Sequence, residues 1–250
     1  PDMTDAHNHL ANLYLSQERE EDAIAAYRRA IEMAPDRPDA YFYLGTYFAH
    51  HERIEEAAEL LEDAVRLDTN NPMFYLELGC VYFDLHRERD ALGAFDAGLA
   101  IHPREEYLRD LRTVSAEVVE GTTPREAFTP FRQGLESVAL DPRVALAAFD
   151  ETVMVAPDFH LARLNRGIVL AALERTAEAE DAVRQALAIE PRYPESHASL
   201  AVLLMADQRY DEAEAALQQA LALDPAHVEA LRGMGMVYML QDRAELAASY

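Results

Sequence analysis

Lysine and tryptophan are absent from this chain, and Cys80 is its only cysteine. A single cysteine excludes an internal disulfide and a cysteine-rich zinc site, and reads most simply as a buried thiol. No run approaches the ~18 consecutive apolar residues of a membrane span, and no charged-then-apolar leader opens the sequence. The chain begins at Pro1, which reads as an excised segment lacking its native start; the compartment stays open, with the cytoplasm slightly favoured. There is no Gly-rich phosphate loop, G-x-S-x-G elbow or H-E-x-x-H zinc motif. No catalytic residue, metal or cofactor is therefore expected. Low-complexity tracts are missing too, and half of the 250 residues are hydrophobic, enough for a sizeable core.

What is present begins with charge. Forty-six acidic residues face 22 basic ones, all arginine, for a formal charge of −24. Such a field repels phosphate backbones, so nucleic acid is not an expected partner. Acidity without lysine resembles the surface composition of proteins from salt-in halophiles; the alternative is arginine-for-lysine drift in a GC-rich genome with an ordinary acidic surface. The carboxylates are spread over solvated helix faces, and no pair stands out for acid–base work.

Alanine recurs at Ala23, Ala57, Ala91, Ala145, Ala179, Ala213 and Ala247, at spacings of 34, 34, 54, 34, 34 and 34. Only an internal repeat does this. Upstream of these alanines stands Leu10, Leu44, Leu78, Leu200 or Met234, then a small residue, Ala11, Gly45, Gly79, Gly167, Ala201 or Gly235. Three residues on comes Tyr14, Phe48, Tyr82, Leu170, Leu204 or Tyr238. Downstream follow Tyr27, Leu61, Phe95, Phe149, Val183 or Leu217, and a proline at 35, 103, 157, 191 or 225. Apolar residues at i, i+3, i+4 and i+7 give each helix one apolar stripe, small residues let two helices approach, and proline ends the second helix. Arg19, Arg53, Arg87, Arg175, Arg209 and Arg243 mark one position near the end of each first helix. Acids such as Glu21, Asp22, Glu55, Glu56, Asp211 and Glu212 open each second helix, and both placements suit the helix dipole.

This pattern resembles the tetratricopeptide repeat, whose signature is W-x2-L-G-x2-Y, then A-x3-F, A and P, recurring at the period these alanines keep. The resemblance implies an all-α, right-handed superhelical solenoid of antiparallel helix hairpins with about seven repeats. The units are 4–37, 38–71 and 72–105 in a first array (1–105), then about 126–159, 160–193, 194–227 and a truncated 228–250 in a second array (126–250). The tryptophan position holds His7, Tyr41, Tyr75, Arg163, His197 and Leu231. His7 and His9, in the stretch "HNHLANLYL", diverge by about 200° on a helix and cannot share a metal; His7 reads as a packing residue.

The spacing from Ala91 to Ala145 is longer than one repeat. The surplus stretch, 106–125, carries Tyr107, Leu111, Val114 and Val118 at helical spacing and reads as one inserted helix. Gly121 stops it, and Thr123, Pro124 and Glu126 read as cap, first-turn proline and capping-box acid of the next helix. One added helix reverses an up-down array, so it should lie outside the stack, or the solenoid should break near 106–140. In the following unit Gln133 and Glu136 replace the small and aromatic signature residues.

The family uses the first helix of each unit to line a concave groove, and the resemblance places Asn8, Asn12, Phe42, Leu76, Phe83, Leu164, Ile168, Val202, Met205, Arg232, Met236 and Met239 there. The groove starts polar and becomes apolar and methionine-rich. Chaperone-binding members hold a carboxylate with lysine, asparagine and arginine; Asn8 and Asn12 match in part, but the basic partners are missing. The expected function is a noncatalytic scaffold holding a peptide or helix of a partner protein. Alternatives are the substrate-selecting repeat region of a larger enzyme, such as a glycosyl- or sulfotransferase, and a self-assembling homo-oligomer.

Overall fold

The computed structural model describes the backbone of residues 3–241 and the side chains of 6–241. Over these residues it holds fourteen α-helices and one 3-10 turn. It divides into two compact units, Pro1–Thr122 with α1 to α7 and Thr123–Tyr250 with α8 to α14. In the first unit the hairpins are α1 (Met3–Ser16) with α2 (Glu20–Met33), α3 (Pro38–His50) with α4 (Ile54–Leu67), and α5 (Pro72–Asp84) with α6 (Glu88–Ile101), followed by α7 (Glu106–Glu120). In the second they are α8 (Phe128–Ser137) with α9 (Pro142–Val155), α10 (His160–Ala172) with α11 (Thr176–Ile189), and α12 (Pro194–Ala206) with α13 (Tyr210–Leu223), followed by α14 (Val228–Leu240).

Local chemistry sets these boundaries. Proline occupies the first turn of α3, α5, α9 and α12, where its missing N–H costs nothing. Asn71 and Asp141 cap α5 and α9 by accepting from Met73 N and Arg143 N. The second helices α2, α6, α9, α11 and α13 each stop two residues before a proline. Between the two helices of five hairpins one residue is left-handed: Glu18, Glu52, His86, Glu174 and Gln208, with φ between 58 and 61°. The next N–H then returns to the last turn of the first helix, as Arg53 N does to Phe48 O at 3.0 Å.

The registered alanines form the spine of the core. Ala23, Ala57, Ala91, Ala145, Ala179 and Ala213 are all fully buried; Ala247 lies outside the described residues, as does Arg243. The small residues work as expected: a Cβ at Gly45 would lie 2.9 Å from Leu61 Cγ. The position held by tryptophan in the family signature shows an unforeseen constant. Tyr41, Tyr75, Arg163 and His197 each reach the backbone carbonyl six residues upstream: Pro35 O at 3.2 Å, Thr69 O at 3.4 Å, Pro157 O at 2.8 Å and Pro191 O at 2.8 Å. Three side-chain chemistries thus fasten the helix start to the preceding loop. His7 is half-buried and His9 exposed.

The helix at 106–120 closes the first unit: α7 packs on α6, burying Leu108, Leu111 and Val114, Arg112 Nε donates to Asp96 at 2.8 Å, and the division into two units follows at Thr122/Thr123. Gly98 makes room, since a Cβ there would sit 2.8 Å from Leu108 Cδ2. Two expectations need correction. The helix after "GTTPRE" begins at Phe128 rather than Pro124, because Arg125–Ala127 form a 3-10 turn; Gly121 does stop α7, with φ +77°. Finally, the hairpin of α8 and α9 has a small residue after all, one place later than expected. A Cβ at Gly134 would lie 2.5 Å from Phe149 Cε1, whereas Gln133 is exposed. Gly134 and Phe149 stand one position closer in sequence than the equivalent pair Gly45 and Leu61. The shortening is in the first helix and not in the loop: α8 ends at Ser137, three residues after Gly134, where α3 runs five residues beyond Gly45 to His50, and the connection 138–141 has no left-handed residue and places Asp141 at the position of the repeated arginine.

Candidate functional site

The repeated arginines stand at the start of the second helices and serve the scaffold. Arg19, Arg53, Arg87, Arg175 and Arg209 occupy the N-cap and bond the acid three residues on: Asp22, Glu56, Asp90, Glu178 and Glu212, at 2.7–2.8 Å through Nε. Three of them also lie over the aromatic of the first helix, Arg19 on Tyr14 at 4.3 Å, Arg53 on Phe48 at 3.6 Å and Arg87 on Tyr82 at 4.1 Å. The partner guanidinium holds the carboxyls of Glu56, Glu178 and Glu212 below the usual range. These charges are engaged in the loops and leave the inner helices to other residues.

In the first unit the inner helices are α1, α3 and α5. Asn8 is buried, and its Oδ1 has no hydrogen-bond partner among the described residues. Asn12 accepts from Tyr27 Oη at 2.5 Å, and burial, aided by Tyr43, pushes the Tyr27 hydroxyl up to about 12. Phe42 is half-buried against Phe74, with ring centroids 4.8 Å apart. Leu76 and Phe83 are buried. Of the five groove residues expected here, only Asn12 and Phe42 therefore offer side-chain surface.

The second unit differs. Leu164 is buried at 4 % exposure and belongs to the core. Ile168 (43 %), Val202 (59 %), Met236 (52 %) and Met239 (61 %) are exposed, Met205 is partly so, and Arg232 is exposed. They lie on α10 and α12, the first helices of successive hairpins, and on α14, which follows them, with α12 packed against both α10 and α14. Between α10 and α12 the strip deepens into a recess of about 280 Å³ lined by Gly167, Ile168, Ala171, Val183, Ser199, Val202 and Leu203. Ser199 is its one polar side chain. Gly167 shapes the floor, since a Cβ there would sit 2.6 Å from Val183 Cγ2. Sequence reasoning missed this depth, although glycine at a position held by alanine in α12 was the available signal. Among the described residues no group of three or more His, Cys, Asp or Glu is placed to hold a metal, and no helix is long and apolar enough to cross a membrane.

Family models agree with this architecture. One described as tetratricopeptide repeat matches residues 3–72 and 138–196, and a second with the same description matches 170–236 and 204–249. Among solved structures, a tetratricopeptide repeat protein from Parabacteroides merdae is 17 % identical, with 98 % of this chain and 90 % of that chain covered and a TM-score of 0.46. The TPR2AB domain of yeast Sti1, in a pHSP90 complex, is 20 % identical, with 98 % of each chain covered and a TM-score of 0.42. YrrB, described as having an unusual peptide-binding site, is 20 % identical, with 82 % and 96 % covered and a TM-score of 0.42. No curated protein matches. With the first model spanning just over half of the sequence and the repeat visible in the buried alanines, the chain belongs to the tetratricopeptide repeat family.

Proposed function

We propose that this chain is a noncatalytic interaction scaffold that holds a peptide or helix of a partner protein against α10, α12 and α14. The observation that carries this reading is the strip of Ile168, Val202, Met205, Met236 and Met239, an apolar surface on three neighbouring helices with a recess at one end. Apolar side chains grouped in this way mark interaction surfaces, and methionine adapts its shape to the side chains it meets. Repeat arrays present such faces to extended segments.

The test is affinity capture from lysate with the wild type and an Ile168→Glu/Val202→Glu double variant, both confirmed folded by circular dichroism. Both positions are exposed, so the variant places two charges on the strip without touching the core. A Leu164→Glu change would instead test folding. Partners recovered by the wild type and lost with the variant support the proposal; equal recovery overturns it.

A further inference from the structure

The apolar strip lies in an acidic frame. At the N-terminal end of the inner helices stand Glu195 on α12 and Glu229 on α14, at equivalent positions of successive repeats; Glu195 is half-buried with its Oε2 out of solvent, and Glu229 is exposed, with Oε2 3.7 Å from His227 Nδ1. At the opposite end Glu174 and Asp207 follow α10 and α12, both exposed. The arginines beside Glu174 and Asp207 offset this charge only in part. Arg175 is bound through Nε and Nη2 to Glu178 at 2.7 and 2.6 Å. Arg209 is shared by Glu212, Glu180 and Asp207, and Arg184 also binds Glu180, so three carboxylates face two guanidiniums. Arg232 is a cation within the strip, but Glu229 lies one turn before it on the same helix face.

Resting on the scaffold reading above, we infer that the occupant of this strip is a basic amphipathic helix: an apolar stripe flanked by arginine or lysine. Charge complementarity selects it. A second copy of this chain brings another −24 charges, and anionic lipid or nucleic acid meets the same repulsion. A free small molecule is poorly served, because about 280 Å³ falls below the ~300–1,000 Å³ usual for such ligands. The recess suits one inserted side chain of a longer segment. Packed helices lie about 8–10 Å apart, and seven helical residues rise about 10.5 Å. A helix crossing α10, α12 and α14 thus meets them with residues i, i+7 and i+14, and a residue between the first two, about i+3 or i+4, enters the recess.

The test uses three synthetic helices of about 20 residues with one shared leucine stripe and a polar face of arginine, glutamine or glutamate. Binding is measured by titration calorimetry at low salt and in 1 M NaCl, on the wild type, Ile168→Glu/Val202→Glu and Glu195→Arg/Glu229→Arg. The arginine peptide is expected to bind roughly tenfold tighter than the glutamine peptide, and the glutamate peptide not at all. High salt and the Glu195→Arg/Glu229→Arg variant should each narrow that gap, and Ile168→Glu/Val202→Glu should abolish binding. Equal affinity of the arginine and glutamine peptides, lost with Ile168→Glu/Val202→Glu, leaves the groove standing and overturns its charge preference. Arginine-peptide binding that survives this variant is diffuse attraction to an acidic surface and overturns the inference. If no peptide binds while lysate capture yields a strip-dependent partner, the inference alone falls; with no strip-dependent partner, it falls together with the scaffold reading.

Discussion

Arg209 joins its own hairpin to the preceding one: its Nη1 donates to both carboxylate oxygens of Glu180, at 3.0 and 2.8 Å, while Nε and Nη2 hold Glu212 at 2.7 Å each. Arg184 donates to the same Glu180 at 2.9 and 2.7 Å. The two acids hold Arg209 more firmly protonated than usual, and the two arginines keep the Glu180 carboxyl below its usual range although burial opposes them. A network of this kind couples its members more than isolated exposed pairs do.

Arg209→Ala and Glu180→Ala should therefore each lower the melting temperature, and the double variant should lose less than the sum. Arg29→Ala, which breaks only an exposed pair with Glu32 at 2.8 Å, should change little. A thermal double-mutant cycle at low salt and in 1 M NaCl checks this, with the coupling shrinking at high salt. Additive losses would mean that the two hairpins are joined by apolar packing alone.

Gly134 and Gln133 test the register of the shortened hairpin. A Cβ at 134 meets the Phe149 ring, so Gly134→Ala should destabilise by about 1–3 kcal/mol through overpacking. Gln133→Ala should be neutral or slightly stabilising, since that side chain is exposed on a helix. Chemical denaturation followed by circular dichroism separates the two. The opposite ranking would restore the alignment that ignores the shortened end of α8.

The same hairpin shows where the sequence could be read and where it could not. A residue type that returns once in every unit reports a packing constraint that every hairpin shares, and Ala23, Ala57, Ala91, Ala145, Ala179 and Ala213 were legible for that reason. A one-residue deletion between Gly134 and Phe149 shifts the first helix against the second, and a fixed template then sees Gln133 where the glycine works. The groove was legible only by position. Ile168 and Leu164 sit one turn apart on α10, yet one is exposed and the other buried, because burial depends on the neighbouring helices as well as on the residue's own place in the repeat. For α7 the pattern of Leu111 and Val114 announced a helix, and its place on α6 depended on Gly98 admitting Leu108.

His160 gives the second unit a pH response of known sign. Burial pushes its imidazole below the usual range, against the pull of Glu190, and its ring lies 5.0 Å from that of Tyr193. A histidine whose folded value is depressed contributes stability that is complete above the unfolded value of about 6.5 and is lost as pH falls through the folded value. His160→Gln should therefore flatten the pH dependence of the melting temperature below pH ~6.5 relative to the wild type. Parallel curves for the two proteins would show that the ring is hydrated in solution and charges at no cost to the fold.

Salt dependence separates the two readings of the lysine-free acidic composition. With 46 acids against 22 arginines, repulsion within the folded chain outweighs what its exposed ion pairs return, since each such pair contributes only ~0–1 kcal/mol. The melting temperature should therefore rise when NaCl is added. Screening alone acts early: the Debye length is already about 8 Å at 0.15 M and shrinks to about 3 Å at 1 M, so a rise caused by relieved repulsion levels off within that range. A surface adapted to concentrated salt keeps gaining beyond it. Melting temperatures recorded from low salt to several molar NaCl thus have a decisive shape: an early plateau assigns the arginine usage to drift, and a continued climb assigns the carboxylate surface to life in salt. A melting temperature that falls from the first addition would mean that the loop networks around Arg53, Arg175 and Arg209 outweigh the repulsion among surplus acids.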